Sequence, residues 1–460
     1  MSSDEIRIFI DFGSTFTKAV AFDLSDEVLL ARAQAPSTVD TDVMLGLKNA
    51  LASLSKSADI NAAHMRNALA CSSAAGGLRM VCVGLVTDYT TKAGQMAALG
   101  AGAKVVGTFS YELSKSELSE ISALRPDIIL LTGGTDGGNK KVITSNAESL
   151  ASIKENLSSV IVAGNKSAYD DVEAAFNGTG LDLSFTGNVM PEFGQLELDL
   201  VNDKIRELFI RRITEAKGIS RASDIISGVI MPTPSAVLNA AILISSGTKS
   251  ELGLGDLMMI DVGGATTDIY SIASGKPTRD NVHTAGLREP HAKRTVEGDL
   301  GLYHSLDSLA GFYDDAAPGD LDSIKQSISD LHRFMSIPAD SSQKSCQLAL
   351  SRLAVKTAVS RHAGYIEAVP TVNGDVLVQR GKDLSNIETV IGAGGPLAFS
   401  SEPRHVLEGA IADPAEPLVL KPASPVFLLD EKYILFAIGL LGQSEPDIAL
   451  RIIRKYLKRI

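Results

Sequence analysis

Two stretches of this sequence share one pattern, and together they constrain the fold more than anything else in it. FIDFGSTFTKAVAF (Phe9 to Phe22) and MMIDVGGATTDIYSI (Met258 to Ile272) each run an apolar strand to an aspartate. Each then turns on glycine and small residues, and resumes as a strand through a Thr and a charged residue. With Asp261 set under Asp11, Gly263 falls under Gly13, Gly264 under Ser14, Thr267 under Thr17 and Asp268 under Lys18. One D-x-G hairpin is an ordinary tight turn. A matched pair, one in each half of the chain, points to two similar lobes facing each other.

The residue types suit phosphate. Glycine and small hydroxyl residues let successive N–H groups point into one concavity, a nest for phosphate oxygens. Ser14, Thr15 and Thr266 add hydroxyl donors, and Lys18 is a point cation within reach of the same oxygens. Asp11 and Asp261 end their strands, so their carboxylates would project into the cleft. Nucleotide-bound Mg²⁺ uses one or two carboxylates and keeps several waters. A third element, TVIGAGGPLAFS (Thr389 to Ser400), carries a strand into Gly392, Gly394 and Gly395. Pro396 is then placed to open a helix whose N-terminus favours an anion.

Elsewhere short apolar runs alternate with helical patterns, which argues α/β. From Lys104 to Pro191 the rhythm is KVVGTF, helix, DIILLTGG, helix, VIVAGN, helix, LSFTGN. Apolar strands that end in small or polar residues before a helix are what a doubly wound parallel sheet requires. The expected organisation is a first lobe over 1–225 with an inserted α/β module at about 104–191, and a second lobe over 226–432. Residues 433–460 are expected to form C-terminal helices returning to the first lobe. The final RIIRKYLKRI has apolar residues at helical spacing and reads as a docked helix with a solvated basic rim.

At 460 residues and 45% hydrophobic, the chain can bury more than one core. A net charge of −12 and the absence of Trp argue against nucleic acid as a partner. Cys71, Cys82 and Cys346 form no C-x-x-C, which suits free thiols in a reducing cytoplasm. No apolar run is long enough to span a bilayer, and the first residues lack the pattern of a signal peptide.

Taken in order, DFGSTFTK, DVGGATTD and IGAGGP resemble the two phosphate motifs and the adenosine motif of the actin/heat-shock-70/sugar-kinase ATPases. MPTPSAVLNAAILI (Met231–Ile244) and YILFAIGLLG (Tyr433–Gly442) are similar to that superfamily's two connecting helices. The resemblance implies a two-lobed, duplicated ribonuclease H-like fold with ATP and Mg²⁺ between the lobes. It implies that Asp11 and Asp261 hold the metal through water. Gly13, Ser14, Thr15 and Lys18 would clamp phosphates from one side, and Gly263, Gly264 and Thr266 from the other. Asp268 would help the metal or position water, and Gly394 and Gly395 would lie against adenosine. Ala265 stands where heat-shock-70 relatives have glycine.

A narrower resemblance is to the MutL family associated with adenosylcobalamin-dependent glutamate mutase, also called GlmL. CSSAAGGLRMVCVGL, ALGAGAKV, PDIILLTGGTDGGN, GNVMPEFGQLE and KRTVEGDLG carry it. It implies an ATP-driven accessory protein that reactivates or assembles a cobalamin mutase. Three alternatives stay open: a small-molecule kinase with Asp268 as base, a scaffold that binds ATP without turnover, and kinship with hydantoinase or oxoprolinase ATPases. In REPHAKRTVEGDLG the mixed charge reads as solvated surface bordering the cleft. His362 reads as a helix-surface or satisfied core histidine.

Overall fold

The computed structural model describes residues 6–38, 42–58, 60–73, 78–215, 226–303, 305–306, 308–309, 311, 341–372 and 374–460. Ala74–Gly77 of the SSAAGG segment lie outside them, as does DDAAPGDLDS (314–323), a stretch whose composition reads as a surface loop or a helix start.

The first sheet starts with β1 (Ile6–Phe12), β2 (Phe16–Asp23) and β3 (Val28–Pro36), an antiparallel meander. Two short helices, α1 (Val43–Ser57) and α2 (Ala62–Arg66), lead to β4 (Leu69–Ser72), which pairs parallel to β1. β1 is apolar on both faces because both are covered: Ile8, Ile10 and Phe12 face one core and Phe9 another.

Between β4 and the sheet's last strand lies a second, all-parallel sheet. Its elements run β5 (Arg79–Gly84), α3 (Lys92–Gly100), β6 (Lys104–Ser110), α4 (Lys115–Leu124), β7 (Ile128–Leu131), α5 (Lys141–Ala151), β8 (Ser159–Val162), α6 (Tyr169–Phe176) and β9 (Asp182–Phe185). The strand order is β6-β5-β7-β8-β9, reversing at β5. This sheet takes in β5, which precedes residue 104: RMVCVG is hydrogen-bonded on both edges, to β6 and β7. Met80, Cys82, Ile128 and Leu130 share a core with the first lobe, while Val81, Val83, Ile129 and Leu131 pack beneath α4–α6. After α7 (Asp199–Glu215), β10 (Val229–Pro232) completes the first sheet in the order β10-β4-β1-β2-β3.

α8 (Thr233–Ser246) leads into the second lobe. There β11 (Leu257–Val262), β12 (Thr267–Ile272), β14 (Ala292–Glu297), β17 (Thr389–Ala393), β18 (Val426–Asp430) and β19 (Leu457–Arg459) form the order β14-β12-β11-β17-β18-β19. Its first five strands repeat the first sheet's 3-2-1-4-5 plan, the duplication of the two-lobed actin-like fold. β13 (Val282–Thr284), β15 (Tyr365–Thr371) and β16 (Gly374–Arg380) make a small additional sheet that the sequence did not announce. Its strands are largely exposed, so no apolar run marks them. α9 (Ser341–His362) backs the second sheet; α10 (Gly395–Ala398) and α11 (Pro403–Leu407) follow β17.

α12 (Leu435–Leu441) and α13 (Pro446–Tyr456) pack with α8 and with Phe9, Val20 and Phe22 of the first lobe. The helix in RIIRKYLKRI stops at Tyr456, and Leu457–Arg459 become β19 on β18. Its basic rim is partnered: Arg451 pairs with Glu27 at 2.6 Å and Glu251 at 3.1 Å, and Lys458 with Glu431 at 3.0 Å. Among the described residues no helix is long and apolar enough to cross a membrane.

Candidate functional site

The two hairpins face one cleft of about 460 Å³, lined by Asp11, Gly13, Ser14, Thr15 and Lys18 from one side. Asp261, Gly263, Gly264, Ala265, Thr266 and Asp268 line the other. They match down to a hydrogen bond: Gly13 N donates to Phe16 O (3.1 Å) and Gly263 N to Thr266 O (2.9 Å). In both turns the glycine is required, because a β-carbon would stand 2.6 Å from Phe16 O or 2.9 Å from Thr266 O. Ala265 does not take a positive φ, so its backbone conformation does not call for glycine. Register confirms the alignment, pairing Asp11 with Lys18 and Asp261 with Asp268.

Asp11 is buried. Its Oδ2 accepts from Lys18 Nζ at 3.0 Å and its Oδ1 from Thr233 Oγ1 at 2.6 Å. Burial opposes the charge on Lys18, but Asp11 and Tyr433, whose ring lies 4.0 Å from Nζ, hold it protonated far above the usual range. Asp261 differs: it is half-buried and accepts no hydrogen bond from a described residue. Burial, then Asp268, push its carboxyl up to about 7, against the pull of Lys18. An acid in that condition fits a cation, which would restore its charge. Among the described residues no group of three His, Cys, Asp or Glu forms a metal cage. A nucleotide-borne Mg²⁺ needs only one or two carboxylates.

Asp268 is fully engaged. Its Oδ1 accepts from Arg294 Nε (3.0 Å) and Nη2 (2.7 Å), and its Oδ2 from Thr266 Oγ1 (2.8 Å). Three hydrogen bonds thus hold the carboxylate in one orientation and tie the second hairpin to β14.

The third element divides. Gly395 and Pro396 line the cleft, and a β-carbon on Gly395 would meet nothing within 4 Å. Gly394, at φ +96°, passes so close to the second hairpin that a β-carbon would lie 2.7 Å from Asp261 Oδ1. Gly392 does not line the cleft; its α-carbon packs under Leu407 and Leu397. Lys344, Gln347 and Ser351 of α9 line the cleft as well. Ser351 Oγ is buried and has no hydrogen-bond partner among the described residues.

Sequence reading missed Thr233, Arg294, Tyr433 and the α9 residues. Arg294 shows why: in REPHAKRTVEGDLG it looks like one surface charge among many, yet its side chain is 3% exposed. Glu289 of the same stretch is buried between Lys92 (2.9 Å) and Lys293 (3.4 Å). The alternation Ala292, Arg294, Val296 on one strand face is the signal that was available. His362 is the satisfied core histidine, bonded to Ser271 Oγ and Thr295 Oγ1 at 2.8 Å each.

A likeness covering 99% of both chains, at 11% identity and a TM-score of 0.30, links this structure to an activator of the 2-hydroxyisocaproyl-CoA dehydratase from Clostridium difficile with bound ADPNP. The ethanolamine utilization protein EutJ from Carboxydothermus hydrogenoformans is 12% identical, with a TM-score of 0.25 over 97% of this chain and 89% of that one. At such scores neither likeness supports a functional argument. In sequence, the chain is 41% identical to Protein MutL of Clostridium tetanomorphum over 98% of its own length and 99% of the relative's. The MutL protein family profile matches residues 7–457, and the chain belongs to the MutL family.

Proposed function

We propose that this protein binds Mg·ATP between its lobes, hydrolyses it slowly, and uses the change in lobe closure to reactivate or assemble an adenosylcobalamin-dependent amino-acid mutase such as glutamate mutase. The observation that carries the nucleotide reading is the pair of matched hairpins closing one cleft, with Lys18 on one side and Asp261 on the other. In this reading Gly13, Ser14, Thr15 and Lys18 hold phosphates opposite Gly263, Gly264 and Thr266. Asp11 and Asp261 would hold the metal through water, and Mg²⁺ bound there would supply charge neutralisation for the phosphoryl group. Gly395, Pro396 and the α9 residues Gln347 and Ser351 form the adenosine end; the Ser351 hydroxyl, unpartnered among the described residues, is suited to a polar atom of the nucleoside. The mutase partner rests on the family resemblance.

The grip of Arg294 and Thr266 on Asp268 favours an anchoring role over that of a kinase base, which must be oriented toward its acceptor hydroxyl. Water attack depends instead on positioning and charge stabilisation. The test is calorimetric titration of ATP with Mg²⁺, phosphate release followed in parallel, and then addition of inactivated mutase. Magnesium-dependent binding with slow release, and ATP-dependent recovery of mutase turnover, are expected. Failure to bind any adenine nucleotide would refute the cleft assignment. Binding without mutase recovery would refute the partner alone.

A further inference from the structure

We propose that Arg294 is a positioning residue that joins the phosphate end of the cleft to the inserted module, so that the nucleotide's state is reported at the turn between α3 and β6. This rests on the Mg·ATP reading of the cleft. Arg294 sits on β14 opposite Tyr270, two pairs along from the Asp268–Val296 pair. Nε and Nη2 grip Asp268, while Nη1 donates to the carbonyls of Leu99 and Ala103, each at 3.1 Å. One buried guanidinium therefore holds an acid of the second hairpin and both ends of a turn in the module. Its planar fork fixes direction as well as charge.

A second connection runs beside the first. A β-carbon on Gly298 would lie 2.7 Å from Lys104 Nζ, so the Lys104 side chain lies across that glycine. The loop after Gly298 then braces the hairpin, with Leu302 N donating to Gly263 O (3.1 Å) and Tyr303 N to Gly264 O (2.8 Å). On the far side, Ser235 Oγ of α8 donates to Ala101 O at 2.9 Å, two residues after the Thr233 that holds Asp11. Gly102, at φ +91°, is pressed there; a β-carbon would stand 2.7 Å from Ser235 Oγ. The Leu99–Lys104 turn is thus braced by elements that hold both phosphate hairpins. Displacing Asp268 without the turn would strand a buried charge, so the two move together.

Hydrogen exchange with Mg²⁺ and either ADP or a non-hydrolysable ATP analogue tests this, alongside calorimetry of the same ligands. In the wild type, peptides covering Leu99–Val105 gain protection with the triphosphate analogue beyond that with ADP. Arg294→Met binds the analogue within about tenfold of wild type but loses that difference. Arg294→Lys keeps the charge without the fork, and binds with little of the response. The double variant Asp268→Asn/Arg294→Met removes the stranded charge should Arg294→Met alone fail to fold, and it too lacks the response. A response retained in the folded variants overturns the relay. So does wild-type binding with equal protection by both nucleotides, or loss of binding in every Arg294 variant, which would make Arg294 a nucleotide ligand. Absence of nucleotide binding by the wild type overturns the cleft reading itself and the relay with it.

Discussion

Gly439 and Ala236 meet backbone to backbone: a β-carbon on Gly439 would stand 1.7 Å from the Ala236 carbonyl oxygen. Gly439 lies in α12 and Ala236 in α8, two helices that share one core with Phe9 and Val20 of the first sheet, so their crossing is built on a contact that only glycine permits. Gly439→Ala forces these helices apart. Overpacking of this kind costs about 1–3 kcal/mol, and here the obstacle is backbone, which cannot rotate away. The expected result is a clear drop in unfolding midpoint, measured by denaturant titration. An unchanged midpoint would show that the helices are not in this contact.

Asp261 should carry a cost in the absence of ligand. Its carboxyl, pushed up to about 7 by burial and by Asp268, is ionised above that pH among other acids. Asp261→Asn is expected to raise the stability of the nucleotide-free protein at pH 8 by roughly 1–3 kcal/mol, a range discounted for its contact with solvent. The same change should weaken Mg·ATP binding by at least about tenfold. Thermal unfolding without ligand and calorimetry with it would together check this trade. A variant that is less stable and binds normally would remove Asp261 from the metal role.

The duplicated plan was legible because the hairpins repeat residue by residue and β1, β2, β11 and β12 are apolar enough to show. That both hairpins would line one cleft was legible for the same reason. Other parts depend on contacts that no local pattern encodes. Asp268 reads as a free acid until Arg294 arrives from 26 positions along the chain. Gly392 reads as a cleft glycine until Leu407 is placed over it. β5 belongs to the module because both its edges are paired there, which depends on strands further along the chain. β19 is visible only once β18 offers an edge to a basic tail.

Arg32 and Phe399 span the cleft mouth. The Arg32 guanidinium carbon lies 5.6 Å from the Phe399 ring centre and 5.8 Å from that of Tyr433. Arg32 comes from β3 in the first sheet and Phe399 follows α10 after the second sheet's β17, so the pair bridges the two sides of the cleft near Gly395 and Pro396. A cation–π contact of this exposure is worth about 0.5–1 kcal/mol. Phe399→Ala should therefore speed release of a fluorescent adenine nucleotide by about twofold to fivefold, with little change in folding stability. Stopped-flow displacement measures it, and an unchanged release rate would mean the contact does not latch the lobes.

Lys382 gives the fold a pH dependence with a definite sign. Its side chain is buried, with Nζ donating to His291 O (2.7 Å) and Ser271 O (3.2 Å). Burial, and then Lys293, pull it down to about 7, although Glu289 and Asp256 oppose them. In the unfolded chain a lysine keeps its proton to about pH 10. Between those values the unfolded state binds more protons than the folded one, so stability from this group rises with pH. The penalty is complete below pH 7 and shrinks above it, by up to about 1.4 kcal/mol per pH unit. Denaturant titrations from pH 7 to 9 should show the wild type gaining on Lys382→Met as pH rises, with the variant more stable at pH 7. Taking the difference between the two proteins removes the contributions of groups they share. If the gap between them stays constant across that range, Lys382 is not buried in the neutral form.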